Sequence, residues 1–312
     1  MGDPQGSTAT IASMDVQLAQ FNVGTLKAPI DHPDTAAFAA GLAVVNALAE
    51  ASAGYVWRLQ DDGGNATGIV AYDDPHTIVN MSVWESMDAL RAFAFSGTHR
   101  DFLRQRAEWF QSGLSSSVNW WAPVGVRPTV DEAKRRLAFL HTFGPSPYAF
   151  GFAQVPSQLV VLRRTLDHPD VPQMIERLNH ELISTEPEGG ICHITLDPTE
   201  VEGDNGAFFV AYLDGVPSAC GAYRRIGPVT AEVKRMWADP ERRGSKLGAA
   251  ILDTIEAYAL LDGHAELKLE TGEHLEAAVG LYRKFGFAQC EPWGDYIDSP
   301  LSYCMSKQVA RT

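Results

Sequence analysis

The stretch that most constrains this chain is Ala231 to Leu252, AEVKRMWADPERRGSKLGAAIL. Glu232 to Ala238 has the make-up of a strand, Asp239 and Pro240 break it, and from Leu247 onward apolar residues recur at helical spacing. The reading is strand, tight loop, helix. Arg242, Arg243, Gly244, Ser245 and Gly248 fill the loop and the first helical turn, where unpaired backbone N–H groups point outward and the helix dipole favours an anion. That composition predicts a phosphate cradle; the plainer alternative is a loop that only caps a helix. A dinucleotide fold would carry G-x-G-x-x-G after the strand and an NTPase G-K-[ST], and neither pattern is present.

The stretch resembles motif A of the GNAT acetyltransferase superfamily, [QR]-x-x-G-x-[GA]. Arg243 takes the first position, Lys246 the middle one and Gly248 the last. Lys246 departs from the pattern: it still supplies an N–H and adds a cation, but lacks the freedom glycine gives to close backbone approach. Ala278 to Phe287, AVGLYRKFGF, resembles motif B, A-x-x-L-Y-x-x-x-G-F, without a gap. Together the two motifs imply an α+β GNAT domain over residues 158–312, built on a mixed, splayed sheet, with acetyl-coenzyme A as co-substrate.

A length of 312 residues suits two domains of roughly 150 each. The first, residues 14–145, reads as strands at Val16 to Val23, Tyr55 to Leu59, Ile78 to Trp84 and Val118 to Ala122. Helices are expected over Thr35 to Ser52 and over Met87 to Phe110, the latter broken near Gly97, with one more appended at Asp131 to Phe143. The order βαββαβ is the ferredoxin-like arrangement. LAQFNV, ALAEASAGYVWRLQ, VNMSVWESMDALRAF and THRDFLRQRAEWF with NWWAPVG resemble a bacterial domain family of unknown function. That family looks like the dimeric α/β barrel proteins, which include antibiotic-biosynthesis monooxygenases. It implies a possible homodimer through an open sheet face and carries over no catalytic residue. His99 and Arg100 with Trp57, Trp84, Trp120 and Trp121 either line a pocket or fill the core; strand alternation of the aromatics favours the core.

Residues 146–157, with three prolines in the Gly144 to Ser157 stretch, read as the linker. Beyond it come a strand at Leu159 to Arg164, a helix at Val171 to Ile183, and a hairpin turning on Asp214-Gly215. Strands at Glu266 to Thr271 and Leu301 to Ser306 flank a helix at Leu275 to Phe285.

Acetyl transfer to an amine needs a base for the amine proton and an acid for the departing thiolate. Glu232 lies on the motif A strand where the histone-acetylating branch keeps its base, with Glu270 and Asp298 in reserve; the alternative is a surface residue paired with Lys234 or Arg224. Tyr282 matches the motif B tyrosine that the family uses as the acid. The resemblance implies that the backbone of Met236, Trp237 and Ala238 holds the pantetheine arm, and that Arg242, Arg243, Gly244, Ser245, Lys246, Leu247, Gly248 and Ala249 hold the pyrophosphate. An asparagine often found seven residues before the tyrosine is replaced by Leu275. The tail resembles one small-molecule branch in which an aromatic-acidic loop flanks the acceptor, so Trp293, Asp295, Tyr296 and Asp298, with Glu270, are candidate acceptor-binding residues or simply turn residues.

The net charge of −14 divides into 10 basic and 15 acidic residues over 1–156, and 15 basic and 24 acidic over the remainder. Neither half carries the basic footprint of a nucleic-acid binder. No apolar run is long enough for a membrane span, the first 13 residues lack a signal pattern, and a cytoplasmic protein is expected. Cys192, Cys220, Cys290 and Cys304 lack metal-ligand spacing, so free thiols and no metal are expected. The function that follows is N-acetylation of the primary amine of a small molecule. The alternatives are an acyl-coenzyme A sensor without turnover, and oxidative or small-molecule-binding chemistry in the first domain.

Overall fold

The computed structural model describes residues 15–309, apart from 96, 114, 115, 154, 156–158 and 186–195. The polar N-terminal lead and Cys192 fall outside the described residues. The chain forms two compact units with the seam between Val160 and Val161.

The first unit runs β1 (Val16–Thr25), α1 (Ala36–Glu50), β2 (Tyr55–Arg58), β3 (Thr77–Trp84), α2 (Met87–Ala94), α3 (Gly97–Trp109), β4 (Ser116–Pro123) and α4 (Val130–Phe143). Ser86 starts α2 by accepting from the Ala89 N–H, and Thr129 starts α4 by accepting from the Glu132 N–H. The break between α2 and α3 falls at Gly97, whose φ of 46° suits glycine. The four strands are antiparallel in the order β2-β3-β1-β4.

Two expectations for this unit change. The sheet is not bare on the face away from α1, α2 and α3, because α4 packs there: the Arg136 guanidinium lies 5.3 Å over the Trp120 ring and 4.3 Å over Tyr148, with Glu132 bonded to it at 2.8 Å. An open face for dimerisation is therefore covered in part by the chain's own helix. Tyr148, Ala149 and Phe150, inside the expected linker, are buried, and Phe150 bridges Asn119 of β4. The tryptophans also separate. Trp84 packs on Phe93, Trp121 meets Phe150, and Trp57 lies under Arg127.

The second unit runs β5 (Leu159–Arg164), α5 (Val171–Thr185), β6 (Gly206–Leu213), β7 (Val216–Arg225), β8 (Thr230–Ala238), α6 (Leu247–Leu261), β9 (Glu266–Gly272), α7 (Glu276–Lys284), β10 (Ala288–Gln289) and β11 (Ser302–Gln308). The sheet order is β10-β11-β9-β8-β7-β6-β5. Asp214 (φ 51°) and Gly215 (φ 77°) both take the left-handed conformation that a two-residue hairpin between β6 and β7 demands. Strands β8 and β9 are parallel but pair only from Thr230–Val233 to Glu266–Leu269. Beyond those four positions they diverge, so the sheet is mixed and opens a cleft between the ends of β8 and β9.

Helix α6 lies against the sheet through Gly221 of β7, where a Cβ would sit 2.5 Å from Ile251 and 2.6 Å from Met236. Only glycine admits that approach. Ala250, Ile251, Leu252 and Ile255 are fully buried there.

Candidate functional site

The cleft takes its shape from an irregularity in β8. Arg235 has φ of 61°, a left-handed conformation that costs a non-glycine residue about 1–2 kcal/mol, and the pairing with β7 shifts register at the same place. Glu232 precedes this bulge and Trp237 follows it at odd spacing, yet both reach partners away from α6. Glu232 meets Arg224 and Tyr296, while Trp237 donates from its indole N–H to Glu181 of α5 at 2.9 Å. Met236 lies on the Gly221 side, against α6.

Glu232 is not the surface residue of the plainer reading. Its side chain is fully buried; the Arg224 guanidinium donates to one oxygen at 2.7 Å and the Tyr296 hydroxyl to the other at 2.5 Å. Glu200 also pairs with Arg224, and the Lys234 ammonium donates to the Tyr296 oxygen at 3.1 Å. Burial pushes the Lys234 pKa down against the opposing pull of Glu232, and burial with the Glu232 charge pushes the Tyr296 phenol up.

Across the cleft, Glu270 of β9 accepts from the Ser302 hydroxyl at 2.7 Å. Tyr282 of α7 also lines the cleft, with its ring buried against Phe287; burial and Glu270 push its phenol well above the usual value, so it holds its proton at neutral pH. Leu178 and Leu182 of α5 and Leu275 supply apolar walls. Leu275, standing where the family often has an asparagine, thus gives the cleft an apolar side rather than an amide.

The acceptor candidates divide. Glu270 and Tyr296 line the cleft, and Trp293 buttresses Tyr296 edge-on at 5.2 Å while Lys268 lies over its ring. Asp295 and Asp298 are exposed and do not line it; Ser299, Leu301 and Ser302 of the same segment do. A short helical turn at Gly294–Tyr296 directs Tyr296 inward and Asp295 outward. Sequence reasoning missed Arg235. It is 7% exposed, lines the cleft, bonds Asn179, leaves its Nε without a partner, and has no carboxylate within ion-pair distance among the described residues. A bulge in β8 could not be read from residue types alone.

The loop after β8 is held by its own ion pairs. Asp239 accepts from the Glu241 N–H and pairs with Arg177 at 3.0 Å, and Arg177 stacks on Trp237. Arg242 donates to the Leu213 carbonyl, and Arg243 to the Ala238 carbonyl and Glu181. Both arginine side chains therefore brace the loop. Gly244 (φ 87°) and Lys246 (φ 61°, ψ 19°) turn the chain into α6, so Lys246 adopts the left-handed shape that glycine would take with less strain. The first bond of α6 runs from the Ala250 N–H to the Lys246 carbonyl, leaving the N–H groups of Leu247, Gly248 and Ala249 without intrahelical acceptors. Gly248 faces Leu281 of α7, 3.1 Å from where a Cβ would stand. A helix start with unpaired donors, next to two strands splayed apart, fits a pyrophosphate with an extended arm.

Residues 175–287 match the model of the Acetyltransferase (GNAT) family. Over 143 residues, 45% of this chain and 90% of the other protein, the sequence is 37% identical to an "IAA acetyltransferase" of Azospirillum brasilense. The chain belongs to the GNAT acetyltransferase family. Over 141 residues, 45% of this chain and 92% of the relative, it is 28% identical to the "Uncharacterized N-acetyltransferase YsnE" of Bacillus subtilis. Among solved structures, a putative acyl-CoA N-acyltransferase from Klebsiella pneumoniae is 25% identical with a TM-score of 0.42, covering 49% of this chain and 98% of that one. Residues 17–165 match a domain of unknown function, DUF3291. As a GNAT member the chain is an acyl-CoA-dependent N-acetyltransferase whose co-substrate is acetyl-CoA. No helix among the described residues is long and apolar enough to cross a membrane, and no group of three or more metal-ligating side chains lies together among them.

Proposed function

We propose that the domain over residues 158–312 transfers the acetyl group of acetyl-CoA to the primary amine of a small molecule bound in the cleft between β8 and β9. The observation that carries this reading is the cleft itself. Tyr296 with Glu232 behind it lines one side, and Tyr282 with Glu270 the other. In this proposal the N–H groups of Gly244, Ser245, Lys246, Leu247, Gly248 and Ala249 hold the pyrophosphate, with Arg242 and Arg243 bracing the loop. The backbone of Met236, Trp237 and Ala238 pairs with the pantetheine arm, since β8 has no paired neighbour on the β9 side there.

Acetyl-CoA supplies the activated acyl group; the chain supplies position and protons. The amine nitrogen forms the new bond to the acetyl carbon as the carbon–sulfur bond breaks. The amine's proton passes through the Tyr296 hydroxyl to Glu232, and Tyr282 gives its proton to the thiolate. Glu232 is fully buried with the Tyr296 hydroxyl bonded to one of its oxygens, so the proton's route runs through Tyr296. A second reading, with Glu270 as the base, is favoured by its place on the cleft wall. The buried Arg235 cation suits an acceptor that carries an anionic group besides its amine.

Free thiols at Cys220, Cys290 and Cys304 support action in a reducing compartment such as the cytoplasm. For the first unit, the strand order β2-β3-β1-β4 with intervening helices supports a ferredoxin-like architecture. A panel of small amines offered with acetyl-CoA, followed by thiol release and by the mass of the product, tests the reading: an acetylated primary amine is expected, and release of thiol independent of every amine would overturn it.

A further inference from the structure

The first unit contains a cavity of about 440 Å³ between its sheet and the helices α1, α2 and α3. Folding alone does not call for it. Tightly packed interiors carry few voids larger than a water molecule, and an apolar cavity of only about 150 Å³ already takes up benzene.

The floor of the cavity is polar where a buried sheet face should be apolar. Gln20 of β1 is flanked by Ser82 of β3, and Asn22 by Asn80 and Ser117; Asn119 of β4, on the other side of Gln20, extends the deeper row beyond the cavity wall. Two cross-strand rows of hydroxyls and amides thus replace the apolar residues that helices need beneath them. Gln20, Ser82 and Asn119 are all at least nine-tenths buried, so the deeper row costs stability that ordinary core residues would not. The row is ordered internally. The Trp84 indole N–H donates to the Ser82 hydroxyl at 2.9 Å, that hydroxyl donates to Gln20 at 3.2 Å, and the Gln20 amide donates to Asn22 at 2.6 Å. The chain of bonds leads outward to Asn22, which stands across from the exposed Asn80.

The roof is aromatic. Phe38 of α1, Phe93 of α2, and Phe102 and Trp109 of α3 line it together with Tyr55 and Trp84. Among the described lining residues there is no aspartate or glutamate, although the chain carries a net charge of −14. The charged lining side chains are Arg58, already paired with Glu50, and the exposed Arg106. His99 stays neutral near pH 7, because burial lowers its pKa. Such a lining accepts a neutral or negative group and offers a cation no carboxylate counter-charge.

We propose that this cavity binds a planar aromatic compound that is neutral or singly negative, with its ring beneath the aromatics of α1–α3 and its hydrogen-bonding end on the Gln20–Ser82 row. The site is separate from the acetyl-transfer cleft, and the assignment does not depend on what that cleft acetylates.

The test titrates the full-length protein by calorimetry with three probes that share a ring and differ in charge: 4-hydroxybenzamide, 4-hydroxybenzoate and 4-hydroxybenzylamine. The amide and the carboxylate are expected to bind with a dissociation constant below about 1 mM, and the amine at least about tenfold more weakly. Val45→Phe places a ring in the cavity from α1 and should abolish binding of both. Gln20→Leu removes the polar end while keeping bulk, and should weaken both by about tenfold. The near-ultraviolet circular dichroism of either variant, and the melting of its first unit, should match the parent, which shows that the variant is folded. If Val45→Phe fails that check, Gln20→Leu carries the test. Failure of all three probes to bind overturns the proposal. So does binding undiminished in the folded variants, or an amine that binds as tightly as the amide and loses that binding in Val45→Phe, which separates it from an amine held in the acetyl-transfer cleft.

Discussion

Glu232 and Tyr282 show how burial decides what a side chain can do. Tyr282 is enclosed and keeps its proton, so Tyr282→Phe should leave acetyl-CoA binding intact while turnover falls by roughly 10²- to 10⁴-fold, the range of a general acid. Full turnover in that variant, where chemistry limits the rate, would make the tyrosine structural. Glu232→Gln and Glu270→Gln separate the two candidate bases: the variant that loses the base should recover part of its rate at high pH, where the amine is already neutral, and the other should not. Far from the cleft, Asp253 is pushed up to about 7 by burial and by the nearby Glu256, with Lys307 opposing. Its folded value lies above its unfolded one, so its stabilising effect is full below about pH 4 and is lost as pH rises through 7. Asp253→Asn should therefore melt progressively higher than the parent between pH 4 and pH 8; a constant difference across that range would contradict the assignment.

At the scale of elements, the close approach of α6 to β7 rests on one missing side chain. Gly221→Ala would drive a methyl group into Ile251 and Met236 and should cost about 1–3 kcal/mol, read as a lower denaturant midpoint with an unchanged slope. An unchanged midpoint would mean that α6 can shift without loss. The same elements explain what could be read in advance. The strand, loop and helix from Thr230 to Leu261 announced themselves through Pro240, Gly244 and apolar spacing, and the Asp214-Gly215 turn through its dipeptide. Those are local signals. The bulge at Arg235, which turns Trp237 toward α5 and leaves Arg235 on the cleft wall, arises from a register shift against β7 and left no local trace. For the same reason Asp295 and Asp298 read as site residues, although a short turn sends them outward and brings Tyr296 to Glu232.

At the scale of the molecule, the two units have separate sheets and separate cavities. Residues 158–312 alone should fold and bind acetyl-CoA, since β5 begins at Leu159 and every residue lining the cleft lies beyond it. An insoluble fragment, or one that cannot bind, would show that the second unit depends on the first. Length and the proline-rich stretch predict two halves joined near 146–157, and the chain divides between Val160 and Val161. The partial cover of the first sheet by α4, and the polar rows inside it, were not legible: only the register of β1, β3 and β4 sets the polar residues of the three strands side by side.

The central claim is that an amine in the cleft between β8 and β9 takes the acetyl group from acetyl-CoA. The rate of thiol release from acetyl-CoA by the full-length protein, measured with and without each of a panel of small amines, tests it most directly. At least one primary amine should raise the rate above the amine-free value and should fail to do so with Tyr282→Phe. A rate that no amine raises, in protein whose melting temperature millimolar acetyl-CoA does not shift, would contradict it.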